Sequence, residues 1–139
     1  MTYKTEQIAD LLFEVTKNLK KITEKSLKDY GLGIGQLQVL LIFYREPNQV
    51  LSQHDLVLAL KVDKGNISRN VAKLLGKGFI DFDTDRRRYF LSQEGLNMKG
   101  ILLKYFIGTH QKMTMGITED ELITTFSSLM KMNNNLEDM

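Results

Sequence analysis

The sequence predicts a mainly α-helical fold interrupted by one small β-hairpin. Three observations predict it. Apolar residues recur at steps of three and four along most of the chain. A single proline, Pro47, stands in 139 residues, which leaves room for long helices. Only between Phe79 and Leu91 does the apolar period change to two. The length fits one domain, or one compact unit that completes its core by pairing. Apolar residues make up 42% of the chain, which argues against wholesale disorder.

Each element has its own local reason. Ile8, Leu11, Leu12, Val15, Leu19 and Ile22 form one face of a helix of about 20 residues. Gly31-Leu32-Gly33-Ile34-Gly35 breaks it. From Leu37 to Tyr44 apolar residues occupy every side, which predicts a buried helix. Ser52-Gln53-His54-Asp55 is a capping-box variant, a hydroxyl followed three residues later by an acid. It opens a short helix, Gln53 to Leu60. Lys61-Val62-Asp63 reads as a turn, and Asp63 caps a third helix from Lys64 to Leu75. Gly76 and Gly78 bracket its end. Two short strands follow, Phe79–Phe82 and Arg88–Leu91, around the polar tip Asp83-Thr84-Asp85-Arg86-Arg87. Ser92 caps a helix from Gln93 to Met113. Thr118-Glu119-Asp120-Glu121 is a second capping box, with Leu122, Ile123, Phe126, Leu129 and Met130 behind it at helical spacing. Asn133-Asn134-Asn135 is expected to fray. A helix–turn–helix followed directly by a hairpin is a winged helix, here flanked by long helices at both ends.

Composition excludes several function classes. Without cysteine there is no disulfide scaffold, thiolate nucleophile, thiol switch or cysteine-based zinc site. No stretch approaches the ~20 apolar residues of a membrane span, and Met1 to Glu6 lacks the layout of a secretory signal. A cytoplasmic protein is expected. The chain carries no P-loop, no G-x-S-x-G and no H-E-x-x-H, so neither an enzyme nor a cofactor is expected. His54 and His110 are the only histidines, too few and too scattered for a metal site. His54 is expected at the surface. Six of the seven methionines follow residue 97, where flexible thioethers suit core or interface packing. Tyr30, Phe43, Tyr44, Phe79, Tyr105 and Phe106 are expected mostly in the core, with an adaptable ligand pocket as the alternative.

Charge is informative by position. The total is only +2, from 19 basic and 17 acidic side chains. Residues 1–60 balance at seven of each. Residues 61–88 carry eight basic against four acidic, a balance of +4. Residues 117–139 carry Lys131 against five acids, a balance of −4. The positive charge therefore gathers on the third helix and the hairpin. Phosphates are attracted by such a surface, and base edges in a major groove are read by side chains that reach them. Arg69, Asn66 and Ser68 are the candidates for base edges. Lys64, Lys73 and Ser52 are the candidates for phosphates. Gly65 removes a side chain where backbone could approach DNA. Arg86, Arg87 and Arg88 run consecutively at the hairpin; they repel one another and suit an anionic partner, most simply a minor groove. Asp83 and Asp85 are expected to pin them through local ion pairs.

Several segments then resemble one family in order and spacing. They are Gly35-Gln36-Leu37-Gln38-Val39-Leu40, Leu51-Ser52-Gln53-His54-Asp55-Leu56 and Val62-Asp63-Lys64-Gly65-Asn66-Ile67-Ser68-Arg69. Leu74-Leu75-Gly76-Lys77-Gly78-Phe79-Ile80 and Leu91-Ser92-Gln93-Glu94-Gly95 continue the series. The chain resembles the MarR family of bacterial and archaeal transcription regulators over about residues 35–95. The resemblance implies one unit over 1–139. Within it, 35–92 would be a DNA-binding winged-helix lobe, and 1–34 and 93–139 would be dimerisation helices. It implies a homodimer on double-stranded DNA, recognition helix in the major groove and wing arginine in the minor groove. It also implies release by a small aromatic or phenolic effector. Two features depart from the family pattern. Gly78 to Leu91 spans 13 positions, a short wing, and Gly33 stands where a capping threonine is usual. The rival expectation is a winged-helix protein-interaction or ligand-binding module without operator binding, kept alive by the acids at 81–85 and the short wing.

Overall fold

The computed structural model describes residues 5–139, and these follow the predicted order of elements. They divide into two compact units, one up to Gly100 and one covering Ile101–Met139.

In the first unit, α1 spans Thr5–Leu27. Its apolar stripe is exposed within the single chain, with Leu11 61% and Ile22 48% accessible, while Leu27 at its end is buried. A 3-10 turn, Lys28–Tyr30, closes it on Gly31, whose φ of 67° lies in the left-handed region. Helix α2, Ile34–Arg45, is the buried centre the sequence predicts: Leu37, Val39, Leu40, Ile42, Phe43 and Tyr44 are all enclosed. Gly33 at its N-cap supplies no side-chain bond, the weak cap expected there. Gln36, also buried, is satisfied by Lys77, whose Nζ donates to Oε1 at 2.5 Å and also to the Gly31 carbonyl.

Helices α3 (Gln53–Leu60) and α4 (Lys64–Gly76) form the helix–turn–helix. Ser52 and Asp55 make the complete capping box, and Asp63 accepts from the Asn66 N–H at 2.7 Å. Lys61 absorbs the turn at φ 56°. Ile67, Val71 and Leu74, at successive helical steps, bury one side of α4, which packs on α2 and α3.

Strands β1 (Ile80–Asp83) and β2 (Arg88–Leu91) pair antiparallel, Ile80 opposite Leu91 and Asp83 opposite Arg88. The predicted first strand started one residue earlier. Phe79 is held out of it because its N–H completes the exit of α4, donating to Leu74 at 3.1 Å. Leu51 adds a bridge that two-strand reasoning missed. Its N–H and carbonyl exchange bonds with Tyr89 at 2.9 and 2.7 Å on the other edge of β2.

Helix α5, Gln93–Met113, begins in the first unit and ends in the second. Its start needs Gly95: a Cβ there would stand 2.0 Å from the Phe79 carbonyl oxygen. Tyr44 donates its buried hydroxyl to the Gly95 carbonyl at 2.7 Å. Burial pushes that phenol up to about 12, so it stays a donor.

In the second unit, α5 ends in a turn through Gly116 and α6 spans Glu119–Glu137, opened by the Thr118–Glu121 capping box. Tyr105 and Phe106 stack tilted, centroids 5.3 Å apart. The expected fraying at Asn133–Asn135 does not occur. Asn costs a helix only a few tenths of a kcal/mol, roughly; the preceding turns already carry the nucleation cost. Asn133 also bonds Glu137 one turn on. No described helix is long and apolar enough to cross a membrane.

Candidate nucleic-acid interface

Ile67, Val71 and Leu74 turn one side of α4 inward, and Asn70 packs beside Gly35 of α2. Lys64, Gly65, Ser68, Arg69 and Lys73 are exposed and Asn66 half-buried. All six predicted residues of this helix therefore share its open side. Asn66 is not free: its Oδ1 accepts from Asn70 at 3.0 Å, which orients the amide along the helix. Ser52 sits half-buried at the N-terminus of α3. Its Oγ accepts from the Asp55 N–H at 3.1 Å.

The hairpin treats its three arginines differently. Asp83 folds the tip, its Oδ1 accepting from the N–H groups of Asp85 (3.0 Å) and Arg86 (3.2 Å). Its other oxygen lies 3.7 Å from Arg86 Nε. The pinning expected of Asp83 is present; among the described residues Asp85 makes no ion pair. Arg87 occupies the left-handed region, φ 53°, where a non-glycine residue costs about 1 kcal/mol. It has no ion-pair partner among the described residues. Arg88 opens the second strand, β2, as the sequence predicts, and its Nη1 reaches Asp55 Oδ2 at 3.0 Å. Asp55 is held below the usual carboxylate range chiefly by the Ser52 N–H; desolvation opposes this, and the Ser52 hydroxyl and the charges of Arg88 and His54 add to the lowering.

Between α3, α4 and the hairpin lies an open crevice of about 450 Å³. Phe82 and Tyr89, centroids 4.9 Å apart, form its aromatic wall. Ser52, His54, Lys64 and Arg87 line it too. His54 is exposed, as expected. Among the described residues no three His, Cys, Asp or Glu side chains converge on a metal-sized site. Of the aromatics, Phe43 and Tyr44 are core residues, whereas Tyr30 is exposed.

Residues 30–88 match the family model described as MarR family. Over 124 residues the chain is 29% identical to the HTH-type transcriptional regulator BilQ of Clostridium symbiosum, with 82% of this chain and 81% of that protein covered. The solved structure of a MarR transcriptional regulator from Methanosarcina mazei Go1 matches 99% of this chain and 94% of that one. Its TM-score is 0.85, at 26% identity. Over residues 30–88, and in its fold, the chain is similar to the MarR family. A further solved structure, the MepR–DNA complex of S. aureus, superposes with TM-score 0.82 over 96% of this chain and 99% of that one; at 20% identity it is a likeness of fold. The MarR-like winged helix seen here differs from the sequence reading in what fastens the wing. Arg88, Asp55 and Leu51 were not singled out as a group. The one available signal was Asp55, already recognised as a capping acid with a second lone pair to offer.

Proposed function

We propose that this protein is a member of the MarR family, a homodimeric, sequence-specific regulator of transcription that binds a pseudo-palindromic operator and acts as a repressor by occupying it. Each dimer reads two half-sites about one helical turn, roughly 34 Å, apart. The observation that carries this reading is the outward side of α4, where Lys64, Gly65, Asn66, Ser68, Arg69 and Lys73 lie together over a buried opposite side. Arg69, Asn66 and Ser68 read base edges, and Lys64, Lys73 and the Ser52 hydroxyl hold phosphates. Arg87 is the wing residue for the minor groove, because Arg86 is engaged by Asp83 and Arg88 by Asp55. The domain layout follows: 35–92 binds DNA, and 1–34 with 93–139 form the dimer. A small aromatic or phenolic effector fits this scheme. The crevice walled by Phe82 and Tyr89 lies beside Lys64 and Arg87, so an anion seated there competes with phosphates for the same cations.

The test is enrichment of sheared genomic DNA on the purified protein at two salt concentrations. A palindromic site should emerge at about 50 mM salt, and its affinity should fall by orders of magnitude at about 200 mM. Arg69→Ala should cost about 1–3 kcal/mol and relax base preference at one position. No enriched sequence from intact dimer would refute the regulator reading and favour a protein-interaction module.

A further inference from the structure

The three consecutive arginines of the hairpin have three different surroundings. Arg86 lies beside Asp83 within the hairpin, Arg87 stands at the tip in a left-handed conformation, and Arg88 reaches out of the hairpin to α3. The last contact joins residues 33 positions apart. Its acceptor is an atom already in use: Asp55 Oδ2 takes the Ser52 N–H at 2.9 Å and Arg88 Nη1 at 3.0 Å. One carboxylate oxygen thus closes the capping box of α3 and holds the base of the wing. The neighbouring residue reinforces it. Tyr89 exchanges two backbone bonds with Leu51, and its hydroxyl accepts from Gln53 Nε2 at 3.4 Å. Residues 88 and 89 of β2 are therefore fastened to residues 51–55, one by charge and one by backbone.

We infer that Arg88 is a positioning residue and not a DNA contact: clamped to Asp55, it sets where the wing tip stands relative to the starts of α3 and α4. The inference rests on the DNA-binding reading above. Its logic is geometric. A two-stranded hairpin with a short tip has no stiffness of its own beyond its base. The distance between Arg87 and the reading helix is set by whatever holds that base. Arg88 supplies the hold nearest the tip that involves a helix. An arginine already bonded to a carboxylate is also neutralised, which makes it a poor collector of phosphates.

Opposite charge changes separate positioning from electrostatics. Arg88→Gln removes a positive charge and Asp55→Asn removes a negative one. Both are mild: Arg88 is an exposed side chain, and Asn keeps an oxygen for the Ser52 N–H. If charge alone matters, the first weakens operator binding and the second strengthens it. Positioning requires both to weaken it, each by up to about fivefold, the range of an exposed pair. The double variant should be no weaker than either single. The salt dependence of binding should stay parallel to that of the parent. In the DNA-free protein, both variants should speed hydrogen exchange of the β1–β2 amides. Stronger binding by Asp55→Asn, or a salt slope flattened by about one unit in Arg88→Gln, overturns the inference. Unchanged exchange and unchanged affinity in both variants overturn it too. Failure of the DNA-binding reading looks different: the parent itself shows no salt-dependent affinity, while the exchange measurement still reports whether the clamp exists.

Discussion

Gly65 lies on the outward side of α4, second in the helix, and is exposed. Glycine inside a helix costs about 1 kcal/mol relative to alanine. No backbone atom blocks a side chain here. A Cβ at Gly65 would meet Arg69 Nη1 at 3.2 Å, the end of a flexible side chain, and the capping Asp63 Oδ1 at 3.3 Å, which would have to give by a few tenths of an ångström. Compare Gly95, where the obstacle is a carbonyl of the backbone. The proposed interface supplies a reason for Gly65: a partner that comes close to the backbone. Gly65→Ala should hold or raise the midpoint of urea unfolding and lower operator affinity at least several-fold. Lower stability with unchanged affinity would place the requirement inside the fold instead. Arg87 follows a similar logic. A left-handed arginine at the tip is a local cost that glycine would avoid, and an anionic partner is the compensation that suits its side chain.

At the scale of the element, the start of α3 gathers helix capping, the wing clamp and a phosphate candidate around Ser52 and Asp55. Asp55 is stabilised as an anion in the fold, so its folded value lies below its ordinary 3.8. Its contribution to stability is accordingly complete above that ordinary value. It is lost as pH falls through the depressed folded value. Urea unfolding of the parent and of Asp55→Asn should show the parent more stable at pH 7. The gap should close as the parent's own carboxylate protonates on acidification. A gap that persists at the acid end would mean the asparagine disturbs packing and not charge. The elements were readable where their cause is local. The capping boxes at Ser52 and Thr118, the Asp63 cap and the buried α2 each depend on residues within one or two turns, and each is present. Contacts closed by tertiary structure were not readable. Arg88 meets Asp55 across 33 positions, and Leu51 bridges Tyr89 as a single residue with no period to detect. The outward side of α4 was legible because Ile67, Val71 and Leu74 repeat at helical spacing. The division of labour among Arg86, Arg87 and Arg88 was not, because it depends on where each strand residue points.

At the scale of the whole molecule, each compact unit leaves apolar helical surface uncovered. On α1, Phe13 is 75% accessible, with Leu11, Val15 and Ile22 exposed beside it. On α6, Phe126, Ile123 and Leu136 are each more than 60% accessible. Scattered exposed apolar residues need no explanation, but repeats of them along helix faces mark interaction surfaces. Both helices lie in the segments proposed for dimerisation, and a second copy of the chain is the occupant that a pseudo-palindromic operator requires. Joining two DNA-binding lobes makes the second half-site contact effectively intramolecular, which raises affinity by about 10²–10⁴ without any new contact. Phe126→Glu puts a charge on the α6 face. Phe126 is exposed, so the change should leave the helical circular dichroism of the protein near that of the parent. Sedimentation at micromolar concentration should move from dimer to monomer, and operator affinity should fall by that two- to four-decade factor. Affinity for a single half-site should change little. A variant that stays dimeric would assign the apolar face of α6 to another partner. A monomeric variant that still binds the full operator as tightly as the parent would remove the two-lobe reading of the site itself.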